Sequence, residues 1–132
     1  MARITPPDLE LWLANTGRDE FPRAEFDNKF PESEWPELLV VVRDDSGAKT
    51  SPVSFQRTVG FTVVGGTRTN DKPVNDLARE LIAFYSDPNL AYLEGPVAAI
   101  NDDDVRGPMK VRETQDRARS YFTVGYSVVG SL

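Results

Sequence analysis

The sequence predicts a small α+β domain, a mostly antiparallel four-stranded sheet with two main helices packed against it. Three observations lead there. The stretch 55–65 alternates like a strand in a sheet: Phe55, Val59, Phe61 and Val63 share one face, and Gln56, Thr58, Gly60 and Thr62 the other. A near-copy closes the chain, because Thr58-Val59-Gly60-Phe61-Thr62-Val63-Val64-Gly65-Gly66 matches Thr123-Val124-Gly125-Tyr126-Ser127-Val128-Val129-Gly130-Ser131, 65 residues on. Between them Val74, Leu77, Ala78, Leu81, Ile82 and Tyr85 recur at helical spacing. The match does not extend beyond these strands, so it reads as two strands under one packing demand in one sheet.

The elements follow in order. Thr5-Pro6-Pro7-Asp8 starts a helix, with Thr5 as cap and the prolines in the first turn. Leu9, Trp12 and Leu13 give it an apolar face, over about 6–15, and Gly17 is a plausible terminator. Residues 18–36 carry Phe21, Phe26, Phe30 and Trp35 spaced by Pro22, Pro31 and Pro36. They read as an irregular aromatic arm that docks on the core; an arm for a partner's pocket is the alternative.

The run 38–43, Leu-Leu-Val-Val-Val-Arg, fits a strand buried on both faces. Asp44-Asp45-Ser46-Gly47 supplies turn chemistry, with Gly47 available for positive φ. Strands 38–43 and 54–65 therefore form an antiparallel hairpin with a long loop, and Arg57 interrupts the apolar row near the second strand's start. Asn70 or Asp71 caps the second helix, 72–86, which Pro88 stops. A short strand at 96–100 and a final strand at 119–129 complete the sheet. One domain spans 1–132: residues 1–36 hold the first helix and arm, and 37–132 the α+β core.

The 132 residues can bury a core without disulfides or a structural metal. No apolar run approaches the ~18 residues of a membrane span, and the N-terminus has no signal-peptide core, so a cytoplasmic protein is expected. There is no cysteine and no histidine. That removes thiol nucleophiles, the commonest metal ligand and the usual base near neutral pH. An enzyme is not expected, and no cofactor is implied. The net charge of -6 disfavours a grip on nucleic acid.

Asp102-Asp103-Asp104 is the obvious metal candidate, but adjacent strand residues point to opposite faces and converge poorly. It reads as a solvated charge run. Gly65-Gly66 lacks the spacing of a phosphate loop. A carboxylate pair for catalysis stays open, with nothing to select one. The remaining pattern is electrostatic. From Arg106 to Arg119 there are five basic residues, Arg106, Lys110, Arg112, Arg117 and Arg119, against Glu113 and Asp116. An acidic block beside a basic one suits head-to-tail association; a mixed surface of weak local pairs is the plainer reading.

The order of elements resembles the tail terminator proteins of long-tailed (siphovirus-type) bacteriophages, those of actinobacterial phages especially. The pieces that carry it are the N-terminal helix, the strand and turn 38–47, and Arg57 in the next strand. Asp76-Leu77-Ala78-Arg79-Glu80-Leu81 on the helix, Gly107-Pro108, and the closing strand from Tyr121 complete it. The aromatic arm has no match in it. The resemblance implies a homohexameric ring that caps the head-proximal end of the tail tube and stops its growth. The ring would give the head-tail connector, or stopper, its docking surface. Implied partners are further copies of the chain, the tail tube protein, the connector, and double-stranded DNA that passes the lumen without specific binding, with no membrane. The implied location is the virion neck, by way of the host cytoplasm. Such proteins have no catalytic residues, cofactor or metal. An acidic lumen would let DNA slide, and Arg57, Asp102, Asp103, Asp104, Arg106, Lys110, Arg112, Arg117 and Arg119 are the candidates for ring interface, tube interface or lumen. Another neck component or a tube subunit is the alternative; a small ligand-binding module or hydrolase is a further one, which would need a deep pocket between helix 72–86 and the sheet.

Overall fold

Asp8, not Thr5, starts the first helix. In the computed structural model, which describes residues 3–132, helix α1 spans Leu9–Glu20 and the Asp8 carboxylate accepts from the Leu11 N–H at 3.1 Å. Thr5 instead pairs with Ser131, backbone to backbone in both directions, at 2.7 and 3.0 Å. Gly17 does not end the helix. It lies inside α1, buried, where a Cβ would run into the Tyr85 hydroxyl and the Phe26 ring. A glycine that looks like a stop signal serves close packing.

The fold is α+β, but the sheet has five strands rather than four and is mixed rather than antiparallel throughout. The additional strand, β1 (Glu25–Asp27), lies inside the segment expected to be irregular and pairs parallel to β2 (Leu38–Asp44). At three residues with one buried side chain, Phe26, it gives too short a pattern for period-two reading. Next come β3 (Ser54–Gly65), helix α2 (Lys72–Tyr85), a short 3-10 turn (Pro88–Tyr92), β4 (Val97–Val111) and β5 (Ala118–Val129). The spatial order is β1-β2-β3-β5-β4, antiparallel from β2 onward.

The two near-identical stretches are neighbours. β3 and β5 pair antiparallel with Phe61 opposite Phe122 and Thr58 opposite Gly125. Phe61 stacks on Phe122 at 4.7 Å between centroids and on Tyr85 of α2 at 4.4 Å. Tyr126 donates to the Tyr85 carbonyl at 2.6 Å, and Tyr85 donates to the Leu13 carbonyl at 2.7 Å. These two bonds link sheet, α2 and α1 through the core, where Leu9, Leu13, Val74, Leu77 and Leu81 meet the inner face of the sheet.

The outer face is half covered. Leu39, Val41 and Val64 are buried there, outside the main core cluster. The chain between β1 and β2 crosses this side. Trp35 lines a hollow with Val64, Arg117 lies 3.9 Å over the Trp35 ring, and Arg119 lies 4.8 Å over Phe30. Phe21 packs edge-on against Phe84 at 5.5 Å. The aromatic arm thus docks on its own domain, with Phe30 and Trp35 against Arg119 and Arg117 and Phe21 against α2.

In the β2–β3 loop the positive φ falls on Ser46 (+72°), not on Gly47. The Asp44 carboxylate accepts from the Ser46 N–H at 2.7 Å and holds that turn. Gly47 is needed for a different reason, because a Cβ there would strike the Gln56 carbonyl.

Candidate functional site

The strand expected over 96–100 runs on to Val111. β4 is a 15-residue sheet edge on which only Val97 is fully buried. Its ladder to β5 slips between Val97 and Ala99, between Asn101 and Arg106, and between Arg106 and Met109. Such bulges interrupt an edge that would otherwise invite another strand.

The second slip contains the acidic triplet, and the triplet does not act as a unit. Asp104 turns onto the outer face, where the Thr58 hydroxyl donates to its carboxylate at 2.7 Å. Gly125 makes this possible, since a Cβ there would collide with Asp104. Asp102 and Asp103 stay exposed. Among the described residues no group of three or more acidic side chains is placed to hold a metal ion.

Arg57 drops out of the candidate interface. Its side chain is only 11% exposed and faces Asp44 at 3.6 Å. It also donates to the carbonyls of Gly47 at 3.2 Å and Gln56 at 3.0 Å. It fastens the β2–β3 loop.

Four of the other basic residues converge. Lys110, Arg112, Arg117 and Arg119 line an open cleft of about 370 Å³ with Arg68, Asp71, Asn75 and Glu113. The cleft lies between the N-terminus of α2 and the loop that joins β4 to β5. Arg106 is exposed farther back on β4. Five cationic groups against two carboxylates make the lining net positive, on a chain whose total is -6.

Each group has a definite place. Arg68 clamps the loop by donating to the carbonyls of Glu113 at 2.9 Å, Gln115 at 3.0 Å and Thr114, while its own N–H reaches Asp116 at 3.0 Å. Arg119 pairs with Glu113 at 2.6 Å. Desolvation pushes Glu113 upward, yet the Gln115 N–H and Arg119 hold it below the ordinary glutamate value. Asp71 sits at the N-cap of α2 without capping it. It faces Lys110 at 3.2 Å instead, and Lys110 followed by Asn75 holds its carboxyl below the usual range. Arg117 rests on Trp35 with its Nη1 buried and unpartnered. Arg112 is exposed and makes no salt bridge among the described residues.

Sequence reasoning found the basic segment but missed Arg68, Asp71 and Asn75. They come from the β3–α2 connector and α2, some 40 residues earlier in the chain, and only the sheet order brings them to the β4–β5 loop. Among the described residues no helix is long and apolar enough to cross a membrane. No protein-family model and no curated protein matches the chain.

Proposed function

We propose that this chain is a non-enzymatic ring subunit of a bacteriophage tail neck, a tail terminator with the corresponding fold. In this reading six copies close on the head-proximal end of the tail tube, end its growth and present the docking surface for the head connector. Two things support it: the order of elements described above, and the long exposed edge strand β4 with charges of opposite sign along it. The second is the observation that carries the reading, because a surface with separated charge suits contacts between unlike patches, which close into rings when the rotation permits. The lumen wall draws on the overall charge of -6, which disfavours sticking to DNA.

Light scattering over a range of protein concentrations tests the ring. Six copies of the 14.7 kDa chain give about 88 kDa. Adding purified tail tubes separates the neighbouring roles. A terminator adds one ring and stops, whereas a tube subunit keeps stacking. A strict monomer that also ignores tail tubes removes the reading.

A further inference from the structure

We infer that Asp102 and Asp103 of one copy seat in the basic cleft of the next, against Lys110 and Arg112. This rests on the ring reading and names the contact between ring neighbours.

The two carboxylates are exposed at the point where β4 leaves its ladder, and neither makes a salt bridge among the described residues. The cleft is a positive surface on an acidic chain. The two features do not satisfy each other within one molecule. Lys110 lies opposite Ser120 and the acidic bulge opens beyond Thr123, three residues on along β5, roughly 10 Å or more of strand, and Lys110 faces Asp71 instead. The carboxylates and the cleft are separate places along one edge, and unlike patches at separate places are what a head-to-tail contact requires.

Exposed ion pairs contribute little affinity each. Their use here is register and choice of partner. Apolar area adjoins them, since Met109 and Val111 on the same strand are exposed and Val111 lines the cleft.

The test mixes equal amounts of unlabelled and 15N-labelled protein and adds a carbodiimide, which couples a carboxylate to a lysine amine. The expected product is a mixed-isotope peptide that joins Asp102 or Asp103 to Lys110. Coupling of Lys110 only within its own chain, to Asp71, overturns the inference. A second measurement uses D102K/D103K and R112E, each checked for folding by circular dichroism. Either variant alone should weaken self-association about tenfold or more at low salt, and added salt should weaken the parent chain in the same direction. Mixing the two should restore association, because one contact in each pair is the native one and in the other both charges are reversed together. Unchanged association in both variants overturns the inference. The ring reading fails separately: a mixed-isotope product from a dimer of fixed mass keeps the contact and removes the ring, while a hexamer without that product keeps the ring and removes the contact.

Discussion

At the scale of single residues, glycines and one aspartate set the geometry. Gly17 is a case where two effects oppose. Alanine is favoured over glycine inside a helix by about 1 kcal/mol, but a methyl here would push into Tyr85 and Phe26, and overpacking costs about 1–3 kcal/mol. We therefore expect Gly17→Ala to destabilise the fold by up to about 2 kcal/mol in urea titration. A stabilised variant would mean that the α1–β1 packing yields easily. The acidic triplet should divide in the same assay. Asp104→Ala strands the Thr58 hydroxyl and should cost about 1 kcal/mol, while Asp102→Asn and Asp103→Asn should each stay within about 0.5 kcal/mol. Burial raises the pKa of Tyr85, with Arg18 and Thr16 opposing, and burial followed by the neighbouring Tyr85 raises that of Tyr126. The folded chain thus holds these protons more tightly than the unfolded one. Their contribution is complete below the unfolded tyrosine pKa of about 10 and is lost as pH rises beyond it. Urea midpoints should be level from neutral pH to about 9 and fall steeply above 10. Tyr126→Phe should soften that fall, and an unchanged alkaline slope in that variant would contradict it.

At the scale of elements, the arm and β2 depend on each other. β2 is apolar on both faces from Leu38 to Val42, so a sheet with helices on only one face would leave Leu39 and Val41 wet. The aromatic arm closes that side by laying Phe30 and Trp35 on Arg119 and Arg117. Replacing both aromatics with alanine should cost about 1–3 kcal/mol. It should also speed amide exchange in β1 and in β2 around Leu39 and Val41, while α2 keeps its protection. Equal acceleration everywhere would show that the arm contributes only to global stability. The elements with long periodic patterns, β3, α2 and β5, and the continuous apolar run of β2 were legible in the sequence. β1 and the far half of β4 were not. The first is too short to show a period. The second carries three acids, a Gly-Pro pair and two breaks in register, which mask its alternation.

At the scale of the whole molecule, charge is sorted along one edge, and the proposed head-to-tail contact rests on that sorting. The cleft's own pairs bear on its acid behaviour. Asp71 and Glu113 have lowered pKa values in the folded chain, so what they contribute is present above the unfolded carboxylate range near pH 4 and is lost as pH falls through their folded values. Loosening of the β4–β5 loop in acid, read by amide exchange at 113–117, would mark that loss. The sequence by itself determined the α+β class, the β2–β3 hairpin, the α2 helix, the two matched strands and the basic segment, because periodicity and turn chemistry act between near neighbours. Only the tertiary structure decided the rest. It added a parallel fifth strand, turned Gly17 from a stop into a contact, withdrew Arg57 and Asp104 into the fold, and brought Arg68 and Asp71 to the basic segment. Those outcomes depend on which strands lie side by side, a choice made by packing between residues far apart in the chain, and no local pattern encodes it.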